Sequence, residues 1–318
     1  MRRREIIALL GGAAAWPLAV QAQQRAMPVI GFLRAGQPPR AWVEGFRQGL
    51  RQWGYVDRQN VAVEFRYTDG SVDQLQELAE ELVRLGVAAI LASGAPAALA
   101  AKKTTTLVPV IFVVAHPLEM GLVPGLAHPG GNVTGLSITS SAILGKRLEL
   151  LMELLPTVRR LVVLWDRENP NNPAQLKEAQ TAARALGMQP EPISVSGPND
   201  FDSGFSHGAD GLLLLDSSLF TTHRAQLVEL ATVRRLPVIY GYREFVEIGG
   251  LISYGADISD LYKRSATYVD KILKGARPAD LPVEQSTKFE LVINLAAAKV
   301  LGLNVPASLL QRANEVVE

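Results

Sequence analysis

The run Pro28-Val29-Ile30-Gly31-Phe32-Leu33 is short, uncharged and almost wholly apolar. Near-continuous apolar runs of this length are typical of parallel strands that helices cover on both faces. The alternating run Val61-Ala62-Val63-Glu64-Phe65 predicts a strand nearer the edge of a sheet. Further apolar runs of the first kind recur at 88–92, 110–114, 161–165, 212–215 and 238–240, and two more strand-like runs lie at 251–254 and 284–292.

Amphipathic segments separate these runs and predict helices. Residues 42–53, for example, place Phe46 and Leu50 on one face. The alternation of strand and helix predicts open, doubly wound sheets of the α/β class. The order of elements also repeats, because Val108-Pro109-Val110-Ile111 and Leu236-Pro237-Val238-Ile239 occupy matching places in the two halves. We therefore expect two α/β lobes with parallel sheets.

The composition excludes several classes of protein. With 318 residues, 48% of them hydrophobic, the chain is long enough for two well-packed cores and is not mainly disordered. Lys and Arg number 32 against 31 Asp and Glu, so we expect no general attraction to nucleic acid. Because there is no cysteine, disulfides, thiolate nucleophiles, cysteine-ligated metal sites and lipid anchors on cysteine are excluded.

Residues 1–22 have the three-part layout of a bacterial signal peptide. Arginines at 2–4 precede an uncharged apolar run from Ile6 to Ala15, and Ala22 offers a cleavage site. The adjacent arginines resemble a twin-arginine export signal. The alternative, an amphipathic first helix of a cytosolic domain, lacks a polar face at helical spacing. We expect cleavage to leave a periplasmic chain, not lipid-anchored, with 29 basic and 30 acidic side chains.

Several motifs resemble those of one protein family. They are Phe46-Arg47-Gln48-Gly49-Leu50, Pro129-Gly130-Gly131-Asn132-Val133-Thr134-Gly135, Lys146-Arg147-Leu148-Glu149-Leu150 and Asn169-Pro170-Asn171-Asn172-Pro173. With the exported N-terminus, they resemble the periplasmic substrate-binding proteins of ABC transporters, in the branch that includes tryptophan- and tyrosine-binding members. The resemblance covers essentially the whole chain after the signal peptide, and the Pro-Gly-Gly-Asn-Val-Thr-Gly run is its most specific part.

The resemblance implies a type I periplasmic-binding fold, with two doubly wound parallel-sheet lobes joined by three crossovers and a ligand cleft between them. The N-terminal lobe would comprise residues 27–137 plus 256–282, and the C-terminal lobe residues 138–255 plus 283–318. The protein is expected to be a monomer. It would bind a small-molecule ligand and dock transiently on an ABC permease in the inner membrane.

Candidate ligand-binding residues follow from the rule that open α/β sheets bind ligands beyond the carboxyl ends of their strands. Tyr242 lies just beyond one such end and is a candidate on that ground. The other candidates follow predicted strands or lie at a crossover, and they are Arg34, Ala35, Ser93, Gly94, His116, Pro117, Asp166, Asn169, Asp216, Ser217, Tyr240 and Tyr254.

Most of these candidates also have a purely structural interpretation, which the sequence leaves open. Ser93 and Gly94 precede a helix whose free N–H groups suit a carboxylate, but Ser93 also fits a plain N-cap. Asp166 and Asp216 suit either a ligand ammonium or the cap of the next helix. Arg34 suits a ligand carboxylate or a structural role, and the tyrosines suit a ligand ring or core packing.

The sequence contains no recognisable catalytic motif. It lacks a phosphate-binding Gly-x-x-x-x-Gly-Lys-Ser/Thr loop, a Gly-x-Ser-x-Gly nucleophile elbow and a His-Glu-x-x-His site, and its four histidines are scattered. We therefore expect a non-enzyme with no catalytic residue, no metal site and no cofactor. The leading hypothesis is the solute-binding component of an ABC importer, capturing an amino acid or an aromatic amino-acid-like molecule. A ligand-sensing periplasmic module and an exported α/β hydrolase are the alternatives.

Overall fold

The computed structural model describes residues 27–138, 143–206 and 208–318. Residues 1–22, predicted as a signal peptide, lie outside the described residues. The described chain forms two α/β lobes, each built around a mostly parallel sheet with helices on its faces. The predicted fold class, two doubly wound lobes joined by three crossovers, is confirmed.

The elements of both lobes alternate along the chain as expected for doubly wound sheets. The strands are β1 (Val29–Arg34), β2 (Ala62–Tyr67), β3 (Ala89–Ser93), β4 (Val110–Val114), β5 (Val133–Ser137), β6 (Arg160–Asp166), β7 (Gln189–Val195), β8 (Gly211–Leu214), β9 (Val238–Tyr240), β10 (Ile252–Ala256), β11 (Glu284–Gln285), β12 (Phe289–Asn294) and β13 (Glu315–Val317). The α-helices are α1 (Arg40–Gln52), α2 (Leu75–Arg84), α3 (Ala95–Thr104), α4 (Ile143–Leu154), α5 (Asn172–Ala185), α6 (Asp202–Phe205), α7 (Ser218–Thr222), α8 (Arg224–Val233), α9 (Arg243–Val246), α10 (Ile258–Leu273), α11 (Leu295–Val300) and α12 (Ala307–Arg312).

The two sheets share one strand order. The first runs β11-β5-β4-β3-β1-β2 and the second β13-β12-β10-β9-β8-β6-β7, so β2-β1-β3-β4-β5 corresponds to β7-β6-β8-β9-β10. The paired strands are parallel except that β12 runs antiparallel to β10. Strand β2 lies at an edge, as its alternating pattern predicts. The repeated element order predicted from the sequence is therefore a repeated topology.

The chain crosses between the lobes after β5, after β10 and between β11 and β12. Helix α10, which follows β10, returns to the first lobe and packs along α1. The short strand β11 pairs with β5, placing Glu284 beside Leu136 and Gln285 beside Ser137. The first sheet therefore extends to Gln285, beyond the boundary predicted at residue 282. Residues 284–292, predicted as one strand-like run, are divided between two sheets.

The Pro-Gly-Gly-Asn-Val-Thr-Gly motif forms the turn into β5. The side-chain amide of Asn132 donates hydrogen bonds of 3.0 and 2.8 Å to the carbonyls of Thr105 and Val108. Gly135 has a φ of 153°, and a Cβ built there would lie 2.1 Å from the carbonyl oxygen of Phe112. The motif thus holds β5 close against β4, and this close approach explains why its last residue is a glycine.

Aromatic side chains connect the first sheet to the helices above it. The ring of Phe32 on β1 lies 6.2 Å from that of Phe46 on α1 and 5.8 Å from that of Tyr262 on α10. All three side chains are buried. This packing brings α1 and α10 beside the carboxyl ends of β1 and β3, where the gap between the lobes opens.

Candidate ligand-binding cleft

A cavity of about 40 Å³ lies between the two lobes. Small-molecule sites commonly span roughly 300–1,000 Å³, so a ligand of that kind would require the lobes to move apart around it. The loops after β1, β3, β6 and β8 contribute to its wall, together with helices α1 and α10. The cavity is therefore at the strand ends where the topology rule places a ligand.

Arg34, the last residue of β1, presents a buried positive charge to the cleft. Its Nη1 donates to the carbonyls of Ala35, Gly36 and Gln37 at 3.3, 2.9 and 3.1 Å. Its guanidinium carbon lies 5.2 Å from the ring centre of Trp42. In the described part of the chain, Nε has no hydrogen-bond partner. Burial lowers the pKa of Arg34, because desolvation disfavours the charged form.

Ser93 and Gly94 lie between β3 and helix α3. The Ser93 hydroxyl is buried and hydrogen-bonded to the Tyr262 hydroxyl. Helix α3 has Pro96 in its first turn, and no side chain of the described residues caps it. The free backbone N–H groups of its first turn therefore lie uncapped at the cleft, which Gly94 and Ala95 line. Backbone N–H groups at a helix N-terminus favour an anion such as a carboxylate.

Asp216 is the carboxylate of the second lobe that lines the cavity. Its Oδ1 and Oδ2 each accept a 3.1 Å hydrogen bond from Arg147 on α4, through Nη1 and Nη2. The Arg147 side chain is 1% exposed and Asp216 is 12% exposed, so the carboxylate is the member that reaches the cavity. Arg147 also donates from Nε to the Tyr254 carbonyl at 2.7 Å, which holds the guanidinium in place.

An amide network fixes the backbone at Asp216. The side-chain nitrogens of Asn169 and Asn172 both donate to the Asp216 carbonyl at 3.0 Å. The backbone N–H of Asp216 donates to Oε1 of Gln175 at 3.3 Å. Asn169 and Gln175 also line the cavity, so they both position Asp216 and contribute wall surface.

Three aromatic rings line the cleft. Trp42 stacks on Tyr262 with ring centres 5.5 Å apart and packs edge-on against Tyr242 at 5.6 Å. Burial raises the pKa of Tyr262 to about 12, so its phenol is neutral at physiological pH. These rings form the apolar, aromatic part of a site whose other parts carry charge and hydrogen-bonding groups.

The lobes contact each other directly around this cavity. Trp42 donates from its indole N–H to Glu244 Oε1 at 2.5 Å, and burial raises the pKa of Glu244 to about 7. On another side, Nε2 of His116 lies 3.9 Å from a carboxylate oxygen of Glu178. The structure therefore shows the two lobes closed on each other.

The cavity brings together half of the residues selected from the sequence. Tyr242 also lines it, which agrees with its position beyond the end of β9. Of the twelve other candidates, the six that line it are Arg34, Ser93, Gly94, Asn169, Asp216 and Ser217.

The other selected residues lie outside the cavity wall. Ala35 and Pro117 are buried in loops, and His116 faces Glu178 at the lobe contact. Asp166 accepts from the Ser217 hydroxyl at 2.5 Å and from the backbone N–H of Glu168 at 3.0 Å, and it is Ser217 that caps α7, so Asp166 supports a cap without being one. Burial raises the pKa of Asp166.

Two tyrosines predicted to face the ligand also point elsewhere. Tyr240 stacks on Phe245 within the second lobe, with ring centres 4.7 Å apart. Tyr254 is half-buried, stacks on Phe289 with ring centres 6.3 Å apart and packs against the core of the second lobe. Both belong to strands of the second sheet, and each ring packs against its own lobe instead of lining the cleft.

Several contributors to the cleft were not selected from the sequence. Trp42 and Tyr262 come from helices, where helical spacing marks them only as core-facing. Gln175 and Arg147 are also helical, and Arg147 falls in a motif that carried the family resemblance. The strand-end rule finds loops but not the helix side chains that cross above them.

Residues 35–317 match the family model described as ABC transporter substrate binding protein. The chain belongs to this family. It is 26% identical over 264 residues to a tyrosine-binding protein of Clostridioides difficile (strain R20291), covering 82% of this chain and 76% of that protein. The resemblance to the branch with tryptophan- and tyrosine-binding members is thereby confirmed.

Solved structures of ABC substrate-binding proteins superpose on both lobes. An ABC domain in complex with L-Trp from Streptococcus pneumonia matches with a TM-score of 0.86 at 28% identity, covering 92% of this chain and 100% of that one. A ligand-free, open substrate binding protein from Clostridium difficile matches with a TM-score of 0.64 at 25% identity, covering 91% and 99%. The higher score with the ligand-bound structure agrees with the closed lobes seen here.

Membership of the ABC transporter substrate binding protein family implies a small-molecule ligand and an ABC permease partner. The relatives are binding proteins and not enzymes. Across the described residues, no group of three or more His, Cys, Asp and Glu side chains is arranged to hold a metal ion. A search of the same residues finds no helix with the length and apolar character needed to cross a bilayer.

Proposed function

We propose that this protein is the periplasmic solute-binding component of an ABC importer and that its ligand is an amino-acid zwitterion with an aromatic side chain. One observation carries the proposal. The cleft sets the carboxylate of Asp216 in the second lobe opposite Arg34 and the N-terminus of α3 in the first, and adds three aromatic rings.

Asp216 would receive the ligand ammonium. A carboxylate has about four lone-pair sites, and Arg147 occupies two of them through a bidentate pair. The remaining sites are free to accept from a cation on the cavity side. Arg147 also prevents Asp216 from rotating, so the acceptor is in place before the ligand arrives.

The ligand carboxylate would lie in the first lobe. The uncapped N–H groups of α3 and the positive end of its dipole favour a negative charge at this point. Arg34 adds a full positive charge on the same wall, which a ligand carboxylate would balance. A zwitterion thus matches the polarity of both walls.

The aromatic side chain of the ligand would pack against Trp42, Tyr242 and Tyr262. Aromatic rings bury a large apolar area and add about 0.5–1.5 kcal/mol per favourable ring pair beyond that area. The relative that is named a tyrosine-binding protein and the structure solved with L-Trp support an aromatic ligand for this chain as well.

Binding of this kind links ligand capture to lobe closure. A molecule that touches Asp216 and Arg34 together does so only when the lobes are closed, so it stabilises the closed state by its differential affinity. The closed protein would then deliver the ligand to a membrane permease.

Titration calorimetry with L-tryptophan, L-tyrosine and L-phenylalanine tests the ligand class, with tryptamine and indole-3-propionate as analogues lacking one charge each. We expect the amino acids to bind at least tenfold more tightly than either analogue. Equal binding of all five compounds, or no binding of any, would contradict the zwitterion assignment.

The variant Asp216→Asn tests the ammonium contact specifically. It should weaken L-tryptophan binding at least tenfold and leave indole-3-propionate binding nearly unchanged, because only the amino acid presents an ammonium. Asp202→Asn, an exposed carboxylate of the same lobe, is the matched control and should change neither affinity.

A further inference from the structure

The three crossovers between the lobes are hydrogen-bonded to one another. The backbone N–H of Ser286, on the third crossover, donates at 2.9 Å to the carbonyl of Ser137, which ends β5 at the first crossover. The backbone N–H of Asp257, on the second crossover, donates at 3.1 Å to the carbonyl of Lys288 on the third. The crossovers therefore form one connected hinge, and one lobe turns against the other around it.

Arg147 bonds to the strand that leads into this hinge. It lies on α4, which follows the first crossover, and its Nε donates to the Tyr254 carbonyl on β10 at 2.7 Å. The Tyr254 ring stacks on the ring of Phe289, the first residue of β12 after the third crossover. Phe289 in turn pairs with Ala256, the last residue of β10 before the second crossover. One guanidinium thus connects to the second-lobe side of the hinge.

The same guanidinium holds the carboxylate of the cleft. Nη1 and Nη2 of Arg147 donate to the two oxygens of Asp216, so each of its three nitrogens has an acceptor. The Arg147 side chain is 1% exposed, and Asp216 lines the cavity. A guanidinium is a planar fork with fixed angles between its donors, so it keeps its partners in a fixed relation. Asp216 is therefore joined to β10 and not only to its own loop after β8.

Glycines on two neighbouring segments leave space for this side chain. A Cβ at Gly241, after β9, would lie 2.5 Å from Nη2 of Arg147 and 1.9 Å from Oδ1 of Asp216. A Cβ at Gly255, on β10, would lie 1.8 Å from the Gly241 carbonyl oxygen and 3.5 Å from Nη2 of Arg147. Neither glycine has a φ in the left-handed region, so the close approach, and not the backbone conformation, requires them.

We propose that Arg147 is a positioning residue that couples ligand capture to closure of the lobes. It makes the carboxylate of Asp216 part of the rigid body that turns on the hinge, so a ligand held at Asp216 moves the whole lobe. Without this connection, the loop after β8 would adjust to the ligand while the lobes stay open. Arg147 has this role only if the ligand contacts Asp216, as the proposed function states.

Distances between two spin labels measure closure directly, because the chain has no cysteine and labels can be attached at introduced ones. Gln76→Cys on α2 and Thr181→Cys on α5 place one label at an exposed position of each lobe. With native Arg147, saturating L-tryptophan should give a single distance that differs from the ligand-free one. In Arg147→Lys, whose ammonium lacks the fork that reaches both acceptors, affinity should fall about tenfold and about half of the saturated molecules should keep the ligand-free distance.

Arg66→Lys is the matched control. Arg66 also bonds a carboxylate and a backbone carbonyl, with 3.0 Å from Nε to Oε2 of Glu81 and 3.0 Å from Nη1 to the carbonyl of Phe65. It lies in the first lobe and does not line the cavity. The control should therefore change neither the affinity for L-tryptophan nor the distance at saturation.

A second variant acts from the hinge without touching Asp216. Phe289→Ala removes a half-buried ring that packs on Tyr254 and keeps the Arg147–Asp216 pair, so it should fold and show the same incomplete closure at saturation. Complete closure at saturation in Arg147→Lys, or in Phe289→Ala if Arg147→Lys does not fold, would overturn the coupling whatever the affinity. Failure of the wild type to bind L-tryptophan would refute the proposed function and, with it, this role of Arg147.

Discussion

The indole N–H of Trp42, on helix α1 of the first lobe, donates a 2.5 Å hydrogen bond to Oε1 of Glu244 in the second lobe. Glu244 is 5% exposed, and its other oxygen has no hydrogen-bond partner within the described residues. Burial is the main reason that the pKa of Glu244 is raised to about 7, from an ordinary value of 4.5. The contact between the lobes therefore favours a protonated carboxyl.

This relationship predicts pH-dependent ligand binding. If opening returns Glu244 to water, the closed state holds one more proton between about pH 4.5 and 7. Closure is then most favourable below that window and weakens as pH rises to 7, by up to about tenfold per pH unit. We expect affinity to be at least tenfold higher at pH 5.5 than at pH 8, measured by calorimetry.

The variant Glu244→Gln supplies the control for this pH dependence. It keeps an acceptor for Trp42 and removes the titrating group, so the slope between pH 5.5 and 8 should disappear. An equal slope in wild type and Glu244→Gln would assign the pH dependence to another group, such as Glu178, whose pKa is also raised by burial.

Disrupting the Arg147–Asp216 pair is expected to cost stability as well as binding. Asp216→Ala leaves a guanidinium that is 1% exposed without its carboxylate, and loss of one partner of a buried pair costs about 3–5 kcal/mol. Urea unfolding measures this loss. The double variant Arg147→Met with Asp216→Ala should recover a large part of the stability, because the isolated charge is gone. A double variant less stable than Asp216→Ala would refute this coupling.

Gly36 limits how closely the lobes approach. A Cβ at this position would lie 1.9 Å from Oγ1 of Thr222 on α7 of the opposite lobe. We expect Gly36→Ala to obstruct closure and weaken ligand binding at least tenfold. X-ray scattering with ligand should show a larger radius of gyration than for wild type.

Gly54 provides a matched control for Gly36. Its φ of 83° is close to the 90° of Gly36, but no atom lies within 4 Å of a Cβ built there. Gly54→Ala should therefore carry a similar backbone strain, of about 1–2 kcal/mol, with unchanged affinity. Thr222→Ala in the Gly36→Ala background should restore part of the binding, and a failure of both comparisons would argue that Gly36 does not act through the lobe contact.

Gly135 is predicted to matter for folding alone. Its φ of 153° and the 2.1 Å approach of the Phe112 carbonyl leave no room for a side chain. Gly135→Ala should lower the free energy of unfolding by about 3 kcal/mol or more. Denaturant unfolding tests this, and any folded fraction should keep wild-type ligand affinity.

The sequence predicts the sheets well because buried parallel strands leave a direct signature. Runs such as 110–114 are apolar at every position, and all five residues of β4 are buried. The prediction of one strand over residues 284–292 was wrong. The chain leaves the first sheet after Gln285 and enters the second at Phe289, and the residues between them do not mark this break in the sequence. Which sheet a two-residue strand joins depends on its neighbour β5, and that neighbour is distant in sequence.

The cleft is predictable only in part, for a related physical reason. Strand-end residues such as Ser93 and Asp216 are found because topology alone brings them together. Trp42 and Tyr262 reach the cavity through the packing of α1 on α10, which the periodicity of either helix does not reveal. Tyr240 shows the limit of the strand-end rule. It lies at the end of β9, but its side chain packs on Phe245 within the second lobe and does not line the cleft.

The position of Trp42 provides an intrinsic fluorescence signal for lobe closure. The indole is 4% exposed, lies among Tyr242, Tyr262 and Arg34, and is hydrogen-bonded across the lobes. The other tryptophans outside residues 1–22 are Trp53, which is 44% exposed, and Trp165, which is half-buried in the second lobe. Opening would hydrate the Trp42 indole and shift its emission to longer wavelength, so capture can be timed by stopped-flow fluorescence without any attached dye.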